Sequence, residues 1–82
     1  MIEYPDRSMW AWREGAVRFT FTYDTVEVRA IVSVAYLRAR FSPPPDGDML
    51  SLALDHAEAI EDSVGRYAEL SAPLELGAEI RL

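Results

Sequence analysis

The chain has 82 residues, half of them hydrophobic, and its 8 basic and 14 acidic side chains give a formal net charge of −6. This length limits it to a single domain, residues 1–82, and the hydrophobic fraction is too high for a disordered chain. Because the sequence contains no cysteine, a disulfide framework and cysteine-based zinc or iron–sulfur sites are excluded.

The amino-terminal residues combine a strand signal with two tryptophans. Ile2 and Tyr4 indicate a short amino-terminal strand, and residues 8–14 are expected to hold a helical turn that displays Trp10. Only one residue separates Trp10 from Trp12, so we expect that they cannot both point inward and that one is exposed. Because exposed tryptophans often anchor binding surfaces, both are candidates for an interaction or dimer surface.

Residues 16–32 have the pattern of a β-hairpin. Apolar and polar residues alternate from 17 to 23 and again from 26 to 32, with Asp24 and Thr25 between the two runs. A two-residue turn there makes every cross-strand pair on one face of the hairpin apolar, and a one-residue slip would destroy that match. Thr25 is unfavourable in such a turn, which prefers glycine.

Two helices are predicted after the hairpin. Ser33 is placed to cap the first helix, residues 34–41. Prolines 43–45 then form a stiff connector that excludes regular structure. Asp48 is placed to cap a longer helix, residues 49–68, whose apolar residues recur at spacings of three and four along one face.

The last segment, residues 74–82, alternates again and predicts a final strand. The predicted fold class is therefore α+β, with an antiparallel sheet of three to four strands and both helices packed on one face. The strands are the hairpin 16–32, the carboxy-terminal strand and the short amino-terminal strand, and the helices are 34–41 and 49–68.

Several short motifs follow one another along nearly the whole chain. They are Tyr4-Pro5-Asp6 with Trp10, Val17-Arg18-Phe19, Asp24, Val28, Val32-Ser33 with Leu37, Phe41, Ile60, and the terminal Gly77-Ala78-Glu79-Ile80-Arg81-Leu82. In this combination the chain resembles the small bacterial proteins of domain-of-unknown-function family 1488. That family tends to have glycine where Thr25 stands, and a polar residue or cysteine near Ala30. The resemblance implies a compact α+β domain and no known activity, so it assigns no functional residues.

The charge is unevenly divided between the two halves of the chain. Residues 1–41 hold six arginines and five acids, whereas residues 42–82 hold two arginines and nine acids. The acidic half disfavours binding to a phosphate backbone and is typical of a solvated helix face. Arg18 and Arg29 share the polar face of the predicted hairpin, where they are candidate contacts for a partner's carboxylates or phosphates.

His56 is the only histidine and lies on the predicted long helix. Its neighbours one helical turn away, Leu52 and Ile60, are apolar, so the helix lacks a pair of metal ligands at that spacing. His56 with Asp55 is the candidate for general-base chemistry, but we interpret His56 as a packed side chain. We predict no catalytic residue, no cofactor and no metal site.

The sequence therefore favours a non-catalytic protein-interaction or regulatory module, whose partner is another protein or a second copy of the chain. One alternative is a nucleic-acid-binding transcriptional accessory factor that uses the arginine-rich first half, and another is a small enzyme that uses His56. No signal-peptide pattern or run of about 20 apolar residues is present, so we expect a cytoplasmic protein that does not cross a membrane.

Overall fold

The computed structural model describes residues 1–42 and 47–82, and it confirms the predicted α+β fold class. A five-stranded, mostly antiparallel sheet packs its apolar face against the helices, and the two layers share one hydrophobic core. The predicted proline connector, 43–45, lies outside the described residues. In chain order the elements are β1 (Ile2–Glu3), a 3₁₀ turn (Arg7–Met9), β2 (Ala11–Arg13), β3 (Ala16–Tyr23), β4 (Val26–Ser33), α1 (Val34–Arg40), α2 (Met49–Asp55), α3 (Ala57–Ser71) and β5 (Glu79–Arg81).

The predicted hairpin is confirmed residue by residue. β3 and β4 pair antiparallel, from Ala16 opposite Ser33 to Tyr23 opposite Val26. One face of this pair, which we call the inner face, supplies the sheet's share of the core. Its buried side chains are Val17, Phe19, Phe21, Val28, Ala30 and Val32.

The turn between β3 and β4 has left-handed backbone at both of its residues. The φ angle is 47° at Asp24 and 69° at Thr25. Two-residue hairpin turns favour positive φ at both positions because that geometry matches the twist of the strands. A β-branched side chain is strained in that conformation, so Thr25 holds the register at an energetic cost.

A second hairpin, which the sequence pattern did not predict, joins β2 to β3. Glu14 and Gly15 form its turn, with φ angles of 51° and 75°. The helical turn expected over residues 8–14 is therefore wrong for most of its length. A 3₁₀ turn ends at Met9, and Ala11–Arg13 is a strand paired with β3, because the Glu14-Gly15 turn folds the segment back onto that strand.

β5 differs from the predicted final strand in direction and in length. It pairs parallel to β4, so the sheet is not antiparallel throughout, and the helices form the crossover that a parallel pair requires. Only Glu79–Arg81 is strand, instead of 74–82. The reason is a turn just before it: Gly77 has a φ of 89°, and the Ala78 N–H donates to the Glu75 carbonyl at 3.0 Å.

The helix predicted over 49–68 is broken at His56 into α2 and α3. His56 has φ −116° and ψ 26°, outside helical geometry. Its ring stacks on Phe41, with ring centroids 4.1 Å apart and an angle of 10° between the planes. Phe41 follows the last residue of α1, so the break in the helix coincides with a contact to the end of α1. After the break, α3 continues to Ser71, beyond the predicted end at residue 68.

The predicted helix caps are confirmed. The Ser33 hydroxyl accepts a hydrogen bond from the Tyr36 N–H at 3.0 Å, and the Asp48 carboxylate accepts one from the Leu50 N–H at 2.8 Å. These bonds satisfy backbone donors that the first turn of a helix leaves free. The helices then bury their apolar side chains against the inner face; those most deeply buried are Leu37, Ile60 and Val64.

The amino-terminal segment contacts α3 closely at Gly65. The Tyr4 hydroxyl donates a hydrogen bond to the Glu61 carbonyl at 2.5 Å. A Cβ atom at position 65 would lie 2.8 Å from the Tyr4 hydroxyl oxygen and 3.3 Å from the Ile2 Cδ1 atom. Glycine inside a helix costs about 1 kcal/mol relative to alanine, and this contact explains why it stands here.

We expect Thr25→Gly to raise the free energy of unfolding by about 0.5–1 kcal/mol, because glycine adopts positive φ without strain. Urea denaturation measures the change. Thr20→Gly is the control, since Thr20 is an exposed position in the extended middle of β3, and there glycine should destabilise the protein. Equal destabilisation by both variants would contradict the assignment of strain to Thr25.

We expect Gly65→Ala to destabilise the wild-type protein but to stabilise the Tyr4→Phe variant by about 0.5–1 kcal/mol. Without the hydroxyl, the new methyl group meets no oxygen and the higher helix propensity of alanine takes effect. A double-mutant cycle in urea measures the coupling. Additive effects of the two substitutions would show that Tyr4 does not constrain position 65.

Candidate functional site

The face of the sheet opposite the helices carries the first candidate surface, and we call it the outer sheet face. The strand register sets its side chains in rows. One row consists of Arg18 on β3, Ile31 on β4 and Arg81 on β5. The next row places Arg29 beside Glu79. Cationic side chains from three strands therefore surround one isoleucine.

Four arginines of this face, Arg13, Arg18, Arg29 and Arg81, form what we call the arginine cluster. Two glutamates accompany them. Glu14 lies 3.6 Å from Arg18, whereas Glu79 serves two arginines, at 3.6 Å from Arg29 and 2.8 Å from Arg81. Glu27 lies on the same face, two residues before Arg29 on β4, so four cations against three anions leave a small local excess of positive charge.

Ile31 is the apolar centre of the arginine cluster. It is only 5% exposed, although the buried side chains of the helices in residues 1–42 and 47–82 belong to the core on the inner face. Its neighbours in the same row are Arg18 and Arg81, whose methylene stems can lie along an apolar side chain while their charged ends stay in water. Ile31 is therefore an apolar position between two arginines of the same row.

A shallow depression of about 420 Å³ runs from the arginine cluster to the edge of the sheet. Pro5, Met9 and Ala11 form its apolar side, and Arg13, Arg18 and Arg29 lie on its basic side. Met9 is 68% exposed, so its side chain is accessible to a ligand. The depression thus offers apolar contact and guanidinium groups to the same ligand.

The expectation that one of the two tryptophans is exposed is confirmed, because Trp12 is exposed and Trp10 is buried, but the two share one face of the sheet. Trp12 pairs with Val17, so Trp12, and Trp10 two residues before it, belong to the inner face. Trp10 is 4% exposed and stacks on Phe19, with centroids 4.2 Å apart, so its predicted role in an interaction surface is wrong. Trp12 is 43% exposed because it lies at the rim of the core, on an edge strand.

Arg18 and Arg29 lie on the outer sheet face, as the hairpin pattern predicts. Their role in binding stays a prediction. Arg13 joins the cluster through the pairing of β2 and Arg81 through the parallel pairing of β5, and the alternation of the hairpin residues reveals neither pairing. The Glu14-Gly15 dipeptide was the available signal for β2, since glycine favours a hairpin turn.

The second candidate surface is an open acidic groove of about 1020 Å³ along α3. Its acidic side chains are Asp55, Glu58, Glu61, Asp62 and Glu69. Two of them are paired: Glu61 with Arg7 at 3.1 Å, and Asp62 with Arg66 at 3.3 Å. Tyr4 closes one side through its hydrogen bond to the Glu61 carbonyl.

Within residues 1–42 and 47–82, no group of three or more histidine or acidic side chains is arranged to hold a metal ion. The candidate pair His56 and Asp55 borders the acidic groove. The His56 ring stacks on Phe41, and no hydrogen bond of the described residues joins it to Asp55. None of the helices in this part of the chain is long and apolar enough to cross a membrane.

Compared with known proteins, the chain has no significant match to a family model, to a curated protein or to a solved structure. Its resemblance to family 1488 therefore stays a prediction. The function is inferred below from the geometry and charge of the two surfaces.

The acidic groove raises the pKa of Tyr4 above its ordinary value of 10.0, first through burial of the hydroxyl and then through the negative charges of Glu61, Asp62 and Glu69. The folded state therefore disfavours the phenolate. The stabilisation from this shift is fully present below the unfolded-state pKa near 10, and it is lost as pH rises through the higher pKa of the folded state.

We expect the free energy of unfolding of the wild-type protein to fall more steeply above pH 10 than that of Tyr4→Phe. Only in the wild type does the unfolded chain lose a proton from this phenol while the folded protein still holds it. Urea denaturation at a series of alkaline pH values measures both slopes. Below the ordinary tyrosine pKa of 10.0 the two proteins should show parallel pH dependences, because the shift at Tyr4 takes effect only above it. Identical slopes above that pH for the wild type and Tyr4→Phe would contradict the predicted linkage.

Proposed function

We propose that this protein is a non-catalytic interaction module of the cytoplasm, which binds an acidic segment of a partner protein through the arginine cluster. The supporting observation is the set of four arginines around Ile31 on the sheet face opposite the hydrophobic core. A surface with an apolar centre and a charged surround matches the general anatomy of protein interfaces.

The chemistry of the cluster favours carboxylates as ligands. A guanidinium group donates two parallel hydrogen bonds to a carboxylate, which gives orientation as well as energy. The present ion pairs of Arg18 with Glu14 and of Arg29 with Glu79 are 3.6 Å long and solvent-accessible, so they contribute little stability. A partner's carboxylates can therefore replace them at small cost.

The apolar side of the depression adds a requirement for aliphatic residues in the partner. Met9 and Ala11 line the same depression as Arg13 and Arg18. Methionine adapts its shape to different apolar ligands. We infer that the preferred ligand mixes glutamate or aspartate with leucine-like residues, instead of being acidic throughout.

Nucleic-acid binding at this face is the competing hypothesis. It would use the same arginines, but Glu14 and Glu79 stand among them and would repel phosphates. Aromatic side chains on which bases could stack are also missing from the outer side of β3 and β4, because Phe19 and Phe21 belong to the buried inner face. These features favour a protein ligand.

The test uses a fluorescently labelled peptide of repeated Glu-Glu-Leu units, with fluorescence anisotropy as the readout. We expect the peptide to bind the wild-type protein and Arg18→Ala/Arg29→Ala to bind it about tenfold more weakly, the equivalent of about 1.4 kcal/mol. The matched control is Arg38→Ala/Arg40→Ala, which removes the same charge from α1. Its affinity should stay within about twofold of the wild type, because α1 belongs to the helical layer.

Oligothymidine of matching length serves as the nucleic-acid probe in the same assay. The proposal requires weaker binding of this probe than of the peptide at equal salt concentration. It would be overturned by stronger oligothymidine binding, by no measurable peptide binding, or by equal loss of affinity in the two double variants.

A further inference from the structure

β5 is the terminal strand of the sheet, and its second edge carries unpaired backbone groups. Ala78 and Leu82 direct their backbone groups toward β4: the Arg29 N–H donates to the Ala78 carbonyl at 3.1 Å, and the Leu82 N–H donates to the Ile31 carbonyl at 2.9 Å. Because direction alternates along a strand, the N–H and C=O groups of Glu79 and Arg81 point away from β4. No strand of the described residues pairs with this edge.

We propose that two copies of this chain pair through their β5 edges, antiparallel, with a twofold axis at Ile80. In this register Glu79 of each copy faces Arg81 of the other. Each facing pair therefore joins a negative side chain to a positive one. The twofold symmetry makes this contact twice, so the same strand edge is complementary to its own copy. The proposal does not depend on the acidic ligand of the arginine cluster.

The backbone geometry supports this register. The residues with outward-pointing groups are Glu79 and Arg81, and they are the ones that the register sets opposite each other. In antiparallel pairing, such facing residues exchange both of their N–H···O=C bonds. The twofold axis therefore allows four backbone hydrogen bonds between the copies, while Ile80 keeps its bonds to β4.

The other exposed edge with three strand residues lacks this complementarity. A twofold axis at Trp12 of β2 would place Ala11 opposite Arg13, which brings no opposite charges together. The chain around β5 also supplies exposed apolar surface. Leu70 at the end of α3 is 83% exposed, and Leu76, three residues before β5, is 87% exposed. Both lie on the segment that leads into β5.

Size limits the strength of the contact. Stable interfaces bury at least about 1,200 Å² in total, and three strand residues per copy contribute only part of this area. Leu70 and Leu76 add to it. We therefore expect a dimer that dissociates in the micromolar range, instead of a permanent one.

Sedimentation equilibrium of the isolated protein over a concentration series tests the proposal. The wild type should dimerise, and Arg81→Glu and Glu79→Arg should each weaken dimerisation at least tenfold, because each places like charges opposite each other. The double variant Glu79→Arg/Arg81→Glu restores opposite pairs and should dimerise again. An equimolar mixture of the two single variants should form a heterodimer, since one then presents two arginines to two glutamates.

The mixture and the double variant distinguish lost pairing from lost folding, because a misfolded chain could not recover in either. Arg81→Pro tests the backbone bonds: it removes an outward N–H, leaves the β4 pairing in place and should abolish dimerisation. A wild type that stays monomeric into the millimolar range would overturn the proposal. Single variants that dimerise like the wild type, or a mixture without heterodimer, would do so as well.

Discussion

The sidedness of the β3–β4 hairpin is the constraint on which the rest of the molecule depends. Its register turns Val17, Phe19, Phe21, Val28 and Val32 to the inner face, where the helices pack, and leaves Ile31 on the outer sheet face. A shift by one residue would bury arginine and threonine and expose phenylalanine and valine. The same alternation sends Arg18 and Arg29 outward. The core and the arginine cluster are thus two consequences of one register, which is held by a strained turn at Thr25.

Local sequence signals were sufficient for the elements that depend on near neighbours. The hairpin, the caps at Ser33 and Asp48 and the first helix follow from alternation and capping chemistry within a few residues. The remaining features depend on contacts between distant segments. His56 lies outside helical geometry where it stacks on Phe41, a contact that the periodicity of α2 and α3 cannot reveal. β5 runs parallel to β4 because three helices return the chain to the starting end of that strand.

In the candidate site, too, local sequence signals predict only the part that depends on near neighbours in the chain. Alternation alone places Arg18 and Arg29 on one face, but only the pairing of β2 and β5 brings Arg13 and Arg81 beside them. From the sequence, one of Trp10 and Trp12 is expected to be exposed, on the argument that residues two apart cannot both point inward. Along a strand, residues two apart point to the same side, so both tryptophans belong to the inner face and their distance from the rim decides their exposure.

Charge connects the two proposed contacts. The net charge of −6 opposes association of two copies, and much of the negative charge lies along α3 in the helical layer. At the β5 edge, in contrast, Glu79 and Arg81 alternate, and the neighbouring outer sheet face has a small excess of positive charge. Pairing at this edge would set two arginine clusters side by side on one continuous sheet. An acidic segment long enough to reach both would then bind the second cluster at high effective concentration. Each contact would therefore strengthen the other, because the ligand's carboxylates would offset the repulsion between the copies.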